Sequence, residues 1–210
     1  MPAPPTPIRS SPLGLTVLAL LIEEPLHPYQ MQVRLKERGK DQVVNVKQRG
    51  NLYKTIDRLR EAGLIKVQAT ERDPSRPERT VYEVTDAGRE AATAWLREMV
   101  AAPVDEFPIF PLAMSLLPVL TVEDATVQLR SRRDRLDARI AGHRAALRET
   151  QQMRLPRLFV VELEYVLAVT VTERKWVHGI ITDLERGELT WSQEWLDALD
   201  FERPPSEQPR

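Results

Sequence analysis

The sequence predicts a mostly α-helical protein with one small β-hairpin, arranged as a compact N-terminal domain followed by a domain of long helices. Three observations predict it. Apolar residues recur at helical spacing through most of the chain. One stretch, from Leu64 to Thr85, switches to strand-like alternation on either side of a polar tip that contains Pro74 and Pro77. A proline-rich apolar segment, residues 103–118, separates two halves of opposite charge: residues 1–100 hold 16 basic and 13 acidic side chains, residues 101–210 hold 14 and 18. These give five divisions: a disordered arm at 1–12, a compact domain at 13–100, an apolar connection at 101–122, a helical domain at 123–202 and a disordered tail at 203–210.

Each element follows from a local signal. Leu13, Leu15, Val17, Leu18, Leu20 and Leu21 form a dense apolar run ended before Pro25, too long and too Leu-rich for a strand. Pro28 opens a second helix containing Met31, Val33 and Leu35, with Gly39 beyond its end. A third runs from Arg49 to about Ala62, where Leu52, Ile56 and Leu59 share one face and Gly63 is the stop. Leu64 to Thr70 and Thr80 to Thr85 make the hairpin. Asp86 is placed to cap a helix to about Val100 that buries Ala91, Ala94, Trp95 and Met99. The connection is too apolar for a solvated linker, so it reads as packed, with a short helix after Pro111. Leu129, Leu136, Ile140 and Leu147 form a thin stripe on a helix from Glu123 to about Gln152, suited to a hairpin or dimer seam. Pro156 restarts a helix to about Gly187, followed by a short cluster of Trp191, Trp195, Leu196 and Leu199.

The chain has 210 residues, net charge −1 and no cysteine, which excludes disulfide frameworks and thiolate metal sites and fits a reducing, cytoplasmic location. The longest apolar run, Leu13 to Ile22, is about half the ~20 residues a membrane span needs, so no membrane partner is expected. Catalysis finds no support. His27, His143 and His178 lie in separate elements without metal-ligand spacing, and no phosphate-cradling glycine loop or Gly-x-Ser-x-Gly elbow is present. No enzyme, cofactor or metal is expected.

Helix, helix, turn, helix, hairpin, helix is the order of a winged helix-turn-helix. A helix of about 12 residues fits the DNA major groove, provided its exposed face offers hydrogen-bonding groups and cations. With Leu52, Ile56 and Leu59 turned inward, the third helix would present Asn51, Tyr53, Lys54, Asp57, Arg58 and Glu61, preceded by Lys47 and Arg49. The hairpin tip adds Arg72, Arg76 and Arg79. From Arg34 to Arg79 there are 13 basic and 7 acidic residues. An exposed polar helix and a charged tip are also what ordinary solvation produces, and a winged-helix module that binds another protein without DNA is the alternative. Seven arginines between Arg130 and Arg148 interleave with Asp134 and Asp137, which favours an ion-paired helix face over a second phosphate-binding surface.

The runs His27-Pro28-Tyr29-Gln30-Met31, Gly50-Asn51-Leu52-Tyr53, Glu61-Ala62-Gly63-Leu64-Ile65 and Glu78 to Arg89 resemble the PadR family of bacterial transcriptional regulators, in order, from about Leu13 to Val100. Leu155 to Phe159 and Gly187 to Trp191 are similar, more loosely, to that family's C-terminal helical domain. The resemblance implies a homodimeric repressor that reads a partly palindromic operator in double-stranded DNA and is released by a small molecule. It implies DNA contacts from Tyr29 and Tyr53, and from the wing cations Arg76 and Arg79. Asn51 takes the place of a small hydroxyl residue, and Lys54 stands where many members have proline, adding a phosphate donor. Residues 123–187 would pair the subunits. A small aromatic effector would find stacking partners among Trp95, Phe107, Phe110, Tyr165, Trp176 and Trp191, with Phe110 and Trp176 foremost, and ordinary core and dimer burial accounts for these rings equally well.

Overall fold

The computed structural model of the chain describes residues 9–38, 49–71, 79–104 and 107–198. It falls into two compact units, Met1–Asp105 and Glu106–Arg210.

In the first unit the Ser11 side chain accepts a hydrogen bond from the Gly14 amide at 3.1 Å and caps α1, Pro12–Glu23. The helix therefore starts inside the segment expected to be a disordered arm. The next helix, α2, spans Pro28–Glu37. Its N-terminus carries a reciprocal cap absent from the sequence reading: His27 Nδ1 accepts from the Gln30 amide, and Gln30 Oε1 accepts from the His27 amide. Arg49–Glu61 forms α3. Gly63 then takes φ +70°, the left-handed conformation that lets the chain leave the helix and start β1, Ile65–Glu71.

Strand β1 pairs antiparallel with β2, Arg79–Val84, with Ile65 opposite Val84 and an irregularity between Val67 and Ala69. Leu26, in the turn between α1 and α2, exchanges two backbone hydrogen bonds with Tyr82 at 3.0 and 3.1 Å, so β2 is held on both sides. The cap of α4, Asp86–Ala101, is Thr85, whose hydroxyl accepts from the Gly88 amide at 3.1 Å; Asp86, expected as the cap, is the first helical residue. Thr85 won because its hydroxyl also donates to the Gly63 carbonyl at 2.7 Å, a tie across the hairpin that no local pattern reveals. Trp95 sets the buried face of α4, and Gly88 and Ala92, seven and three residues earlier, share it. Ala94 therefore points to solvent, contrary to expectation.

One cluster closes the unit: Val17, Leu18 and Leu21 of α1, Met31 and Leu35 of α2, Leu52, Ile56 and Leu59 of α3, with Tyr82, Val84 and Trp95. Outside it, Arg38 grips the Glu23 carboxylate with two bonds of 2.6 Å, and Arg34 pairs with Glu24. These ion pairs clamp α2 to the end of α1.

In the second unit α5, Ile109–Ser115, begins two residues before Pro111, which sits in the first turn where its missing N–H breaks no helical bond. The segment is less packed than expected. Phe107, ahead of the helix, is 96% exposed, and Ile109 is 83% exposed because a helix of seven residues buries one face and that face is Phe110 and Met114. After a 3₁₀ turn at Leu117–Val119, α6 runs Val122–Gln152, capped by Thr121. Pro156 introduces a 3₁₀ turn, Arg157–Phe159, and not the helix itself; Val160 breaks the path and α7 runs Val161–Arg186. α6 and α7 form an antiparallel hairpin over Leu129, Leu136, Val177, Ile181 and Leu184. Arg130 pairs with Glu185, Arg132 with Glu173 and Arg174 with Asp137, the inter-helix ion-paired face the sequence favoured. A short α8, Gln193–Asp197, follows Trp191, whose indole N–H donates to the Leu120 carbonyl at 2.9 Å. The tails expected at 1–12 and 203–210 otherwise lie outside the described residues.

Two stability measurements check this account. A Cβ at Gly88 would lie 2.0 Å from the Leu64 carbonyl oxygen, so Gly88→Ala is expected to destabilise the protein by about 2 kcal/mol or more in urea unfolding. The hydrogen bonds from Arg38 hold the Glu23 carboxyl below its ordinary value of 4.5. The resulting stability is complete above that value and lost as pH falls through the lowered folded-state value. Glu23→Gln is expected to reduce stability at neutral pH and to flatten its pH dependence between about pH 6 and pH 3.

Candidate nucleic-acid interface

The inward residues of α3 decide what its outer face can be. Leu52, Ile56 and Leu59 are each at most 1% exposed, and their four- and three-residue spacing leaves Asn51, Tyr53, Lys54, Asp57, Arg58 and Glu61 in solvent. Tyr53 is 51% exposed, its ring standing among the polar residues of this face. Thr55 is satisfied within the helix, its hydroxyl donating to the Asn51 carbonyl at 2.7 Å. On α2, Tyr29 is 63% exposed and its ring stacks on His27, centroids 6.2 Å apart and planes 18° from parallel. The buried, capping His27 therefore supports the Tyr29 ring, which stays largely in solvent. Tyr82 differs from both: it is buried and its backbone holds Leu26.

Charge on this unit is partly spent inside it. Arg34 and Arg38 are committed to Glu23 and Glu24, Arg60 to Asp57 at 3.6 Å, and Lys66 to Glu83 at 3.0 Å. Lys54 and Arg58 have no ion pair among the described residues, and both stand on the outer face of α3. Among the described residues of the basic segment, Lys36 of α2 also has no ion pair, and Lys54 and Arg58 stand together on the face that the apolar stripe turned outward.

The other expected contact residues divide by what the structure describes. Arg49 is the first residue of α3 and Arg79 pairs with Glu71 at the start of β2; only their backbone positions are described. Lys47, Arg72 and Arg76 lie outside the described residues.

The aromatic residues expected around an effector do not gather in one place. Trp95 is a core residue of the first unit. In the second unit, Phe107 and Tyr165 are exposed, Trp191 is tied to Leu120, and Phe110 and Trp176 meet edge to face at 5.9 Å and 86°. Phe110 also lines a cavity of about 430 Å³ between α5 and α6, which Trp176 does not reach. Sequence composition could supply the aromatic rings but not their separation into two units. Among the described residues no group of three or more His, Asp or Glu is placed to hold a metal ion, and no helix is long and apolar enough to cross a membrane.

Residues 17–94 match the transcriptional regulator PadR-like family, a family of regulators and not of enzymes. No curated protein sequence matches the chain. Among solved structures, the chain is similar to Bacillus subtilis PadR in complex with operator DNA, at 18% identity and a TM-score of 0.70 over 85% of this chain and 99% of that one. It is similar to the same Bacillus subtilis protein in complex with p-coumaric acid, at 16% identity and TM-score 0.68 over 82% and 98%. The Vibrio cholerae virulence activator AphA is similar at 18% identity and TM-score 0.60 over 83% and 98%. These likenesses establish a shared fold, a PadR-like winged helix followed by a helical domain.

The exposure pattern predicts how substitutions on α3 will divide. Alanine at Tyr53, Lys54 or Arg58 is expected to change unfolding free energy by no more than about 0.5 kcal/mol, whereas Leu52→Ala or Ile56→Ala costs about 2–5 kcal/mol. Thermal and urea unfolding of the five variants checks it.

Proposed function

We propose that this chain, whose residues 17–94 form a PadR-like domain, is a cytoplasmic, homodimeric, sequence-specific DNA-binding regulator that acts as a repressor and is released by a small molecule. The observation that carries the proposal is the outer face of α3, where Asn51, Tyr53, Lys54 and Arg58 stand exposed on a helix whose other face is locked into the core. Such a face supplies bidentate amide chemistry for a base edge, a phenol for a phosphate or sugar, and two cations for the backbone. Tyr29 on α2, Lys47 and Arg49 before and at the start of α3, and Arg76 and Arg79 in the wing complete the proposed contact set. The relatives of like fold crystallised with operator DNA and with p-coumaric acid support the DNA and small-molecule parts of the reading.

Dimerisation is supported by α7. Its buried residues, Thr170, Val177, Ile181 and Leu184, occupy one face. Val161, Tyr165, Val169 and Trp176 recur at four, four and seven residues on another face and are all exposed, Tyr165 by 70%. A second copy covering this stripe gives a two-fold axis. Two recognition helices related by that axis read half-sites about 34 Å apart, so the operator is an inverted repeat and a ligand that shifts the pairing misaligns the readers.

Selection of genomic fragments by the purified protein, with excess non-specific competitor, is expected to enrich one inverted repeat. Tyr53→Ala combined with Lys54→Gln is expected to weaken binding to that repeat about tenfold or more. Lys54→Gln alone should reduce the slope of log affinity against log salt by about 0.9, one phosphate contact. A protein-binding module without DNA function would show no enriched motif and no steep salt dependence. Tyr165→Asp with Val169→Asp is expected to convert the dimer to a monomer in sedimentation while retaining helical content. A variant that stays dimeric removes the α7 stripe as the seam.

A further inference from the structure

Among the described residues of the first unit, His27 is the one buried polar or charged residue apart from Tyr82, and the proposed DNA contacts do not use it. Its backbone is fixed from both sides. Leu26 before it exchanges two hydrogen bonds with Tyr82 of β2, at 3.0 and 3.1 Å, and Pro28 after it favours the extended conformation that His27 adopts, φ −90° and ψ 157°. The side chain is fixed as well. Nδ1 accepts from the Gln30 amide at 3.3 Å, while Gln30 Oε1 accepts from the His27 amide at 3.1 Å, and the residue is 7% exposed. An N-cap needs only a small acceptor, which serine, threonine, aspartate or asparagine supplies. Histidine brings what those residues lack, a ring. That ring lies against Tyr29, with centroids 6.2 Å apart and planes 18° from parallel. Tyr29 is the second residue of α2 and largely in solvent, and among the described residues no other ring meets it.

We infer that His27 is a positioning residue for Tyr29: its imidazole is a fixed platform that holds the exposed phenol ring in one orientation. His27, being buried, is not itself a DNA contact. An exposed tyrosine near a helix start otherwise samples several rotamers, and ordering it on binding lowers affinity; a ring stacked in the free protein is already ordered. Because Leu26 is tied to β2, the platform also keeps Tyr29 in register with the wing. The consequence for operator affinity rests on the regulator reading. The stacking does not.

Three variants separate the platform from the cap. His27→Asn keeps an acceptor for the Gln30 amide and removes the ring, Tyr29→Ala removes the ring that is held, and the third combines the two. Circular dichroism and melting temperature establish that each is folded. If His27→Asn does not fold, His27→Ser, which supplies a hydroxyl cap, takes its place. Affinity for the inverted repeat selected by the parent is expected to fall about fivefold or more in His27→Asn, and about twofold or less when the same substitution is made on the Tyr29→Ala background. A histidine with a structural role alone weakens binding equally in both backgrounds. A second readout uses no DNA. With isotope-labelled tyrosine in the full chain, which has four tyrosines, Tyr29→Phe assigns the ring resonances of Tyr29. His27→Asn is expected to move those resonances toward the values of a solvated tyrosine and to leave those of Tyr53 and Tyr165 in place. The proposal is overturned if the Tyr29 resonances do not move, if Tyr29→Ala binds the operator like the parent, or if His27→Asn loses as much affinity on the Tyr29→Ala background as on the parent. A parent chain that selects no DNA sequence, while the Tyr29 resonances move, sinks the regulator reading and leaves the platform standing. Specific DNA binding with the Tyr29 resonances unmoved does the reverse.

Discussion

The backbone pairing of Leu26 with Tyr82 is the constraint on which the first unit's geometry depends. A two-stranded hairpin is marginal by itself, because each strand satisfies only one edge. Here β2 is paired with β1 on one side and with the α1–α2 turn on the other, so the wing and the helix-turn-helix are one hydrogen-bonded object. The same turn carries Leu26 into the core and leads into the His27 cap that starts α2. Thr85 adds the return tie, capping α4 while donating to the carbonyl of Gly63, the residue that ends α3. Position and tilt of α3 relative to the wing are thus set by backbone pairing, one side-chain cap and the packing of Leu52, Ile56 and Leu59, and not by long flexible side chains. That rigidity is what a helix needs if exposed groups such as Tyr53 and Lys54 are to meet a surface with a fixed repeat.

Legibility in the sequence follows the range of the interaction responsible. Patterns within one helix were readable: Leu52, Ile56 and Leu59 named the buried face of α3, and Gly63 named its end, because spacing and a left-handed cap are local properties. The long helix α6 was readable for the same reason, to within a residue at its start, and so was the end of α7, whereas the start of α7 lies at Val161, beyond the turn that Pro156 introduces. What failed required knowledge of a partner. Asp86 and Thr85 are equally good caps on paper, and only the Gly63 carbonyl, 22 residues away, decides between them. Ala94 looked like core until Trp95 fixed the phase of α4. The connection looked packed because its residues are apolar, yet a seven-residue helix has one face to bury and left Ile109 and Leu112 in solvent. The aromatic set was the least legible, since nothing in the sequence says that Trp95 belongs to one unit's core and Phe110 to another's cavity.

Charge teaches a related lesson. A net charge of −1 and a basic segment near the N-terminus are both correct counts, but neither is a surface. Arg34 and Arg38 are structural, gripping Glu23 and Glu24 at considerable exposure, where each pair is worth little to stability and mainly fixes orientation. Removing them from the account sharpens what remains. Lys54 and Arg58 lie on the one helix face that the core leaves open, and their lack of a partner among the described residues keeps them available for an anion. In the second unit the same subtraction, applied to the arginines of α6, leaves Arg135, Arg139, Arg144 and Arg148 without an ion pair among the described residues.

The α6–α7 hairpin then has three faces with three chemistries. Its inner seam, Leu129 and Leu136 against Val177, Ile181 and Leu184, is closed and apolar. The outer stripe of α7 is apolar and open, the condition that favours a second copy. The remaining face, α6 toward α5, is half apolar and half cationic around an unfilled space. Dense packing makes the seam a poor place to absorb change, since interiors shift between discrete arrangements and do not deform smoothly. Polar ties around the seam join the helices instead, above all Arg132, which touches the Phe110 ring and Glu173 on α7 at once. Phe110, which lines that space, also meets Trp176 of the open stripe edge to face, so the side of α6 that faces α5 is in direct contact with the stripe and a change at one bears on the other.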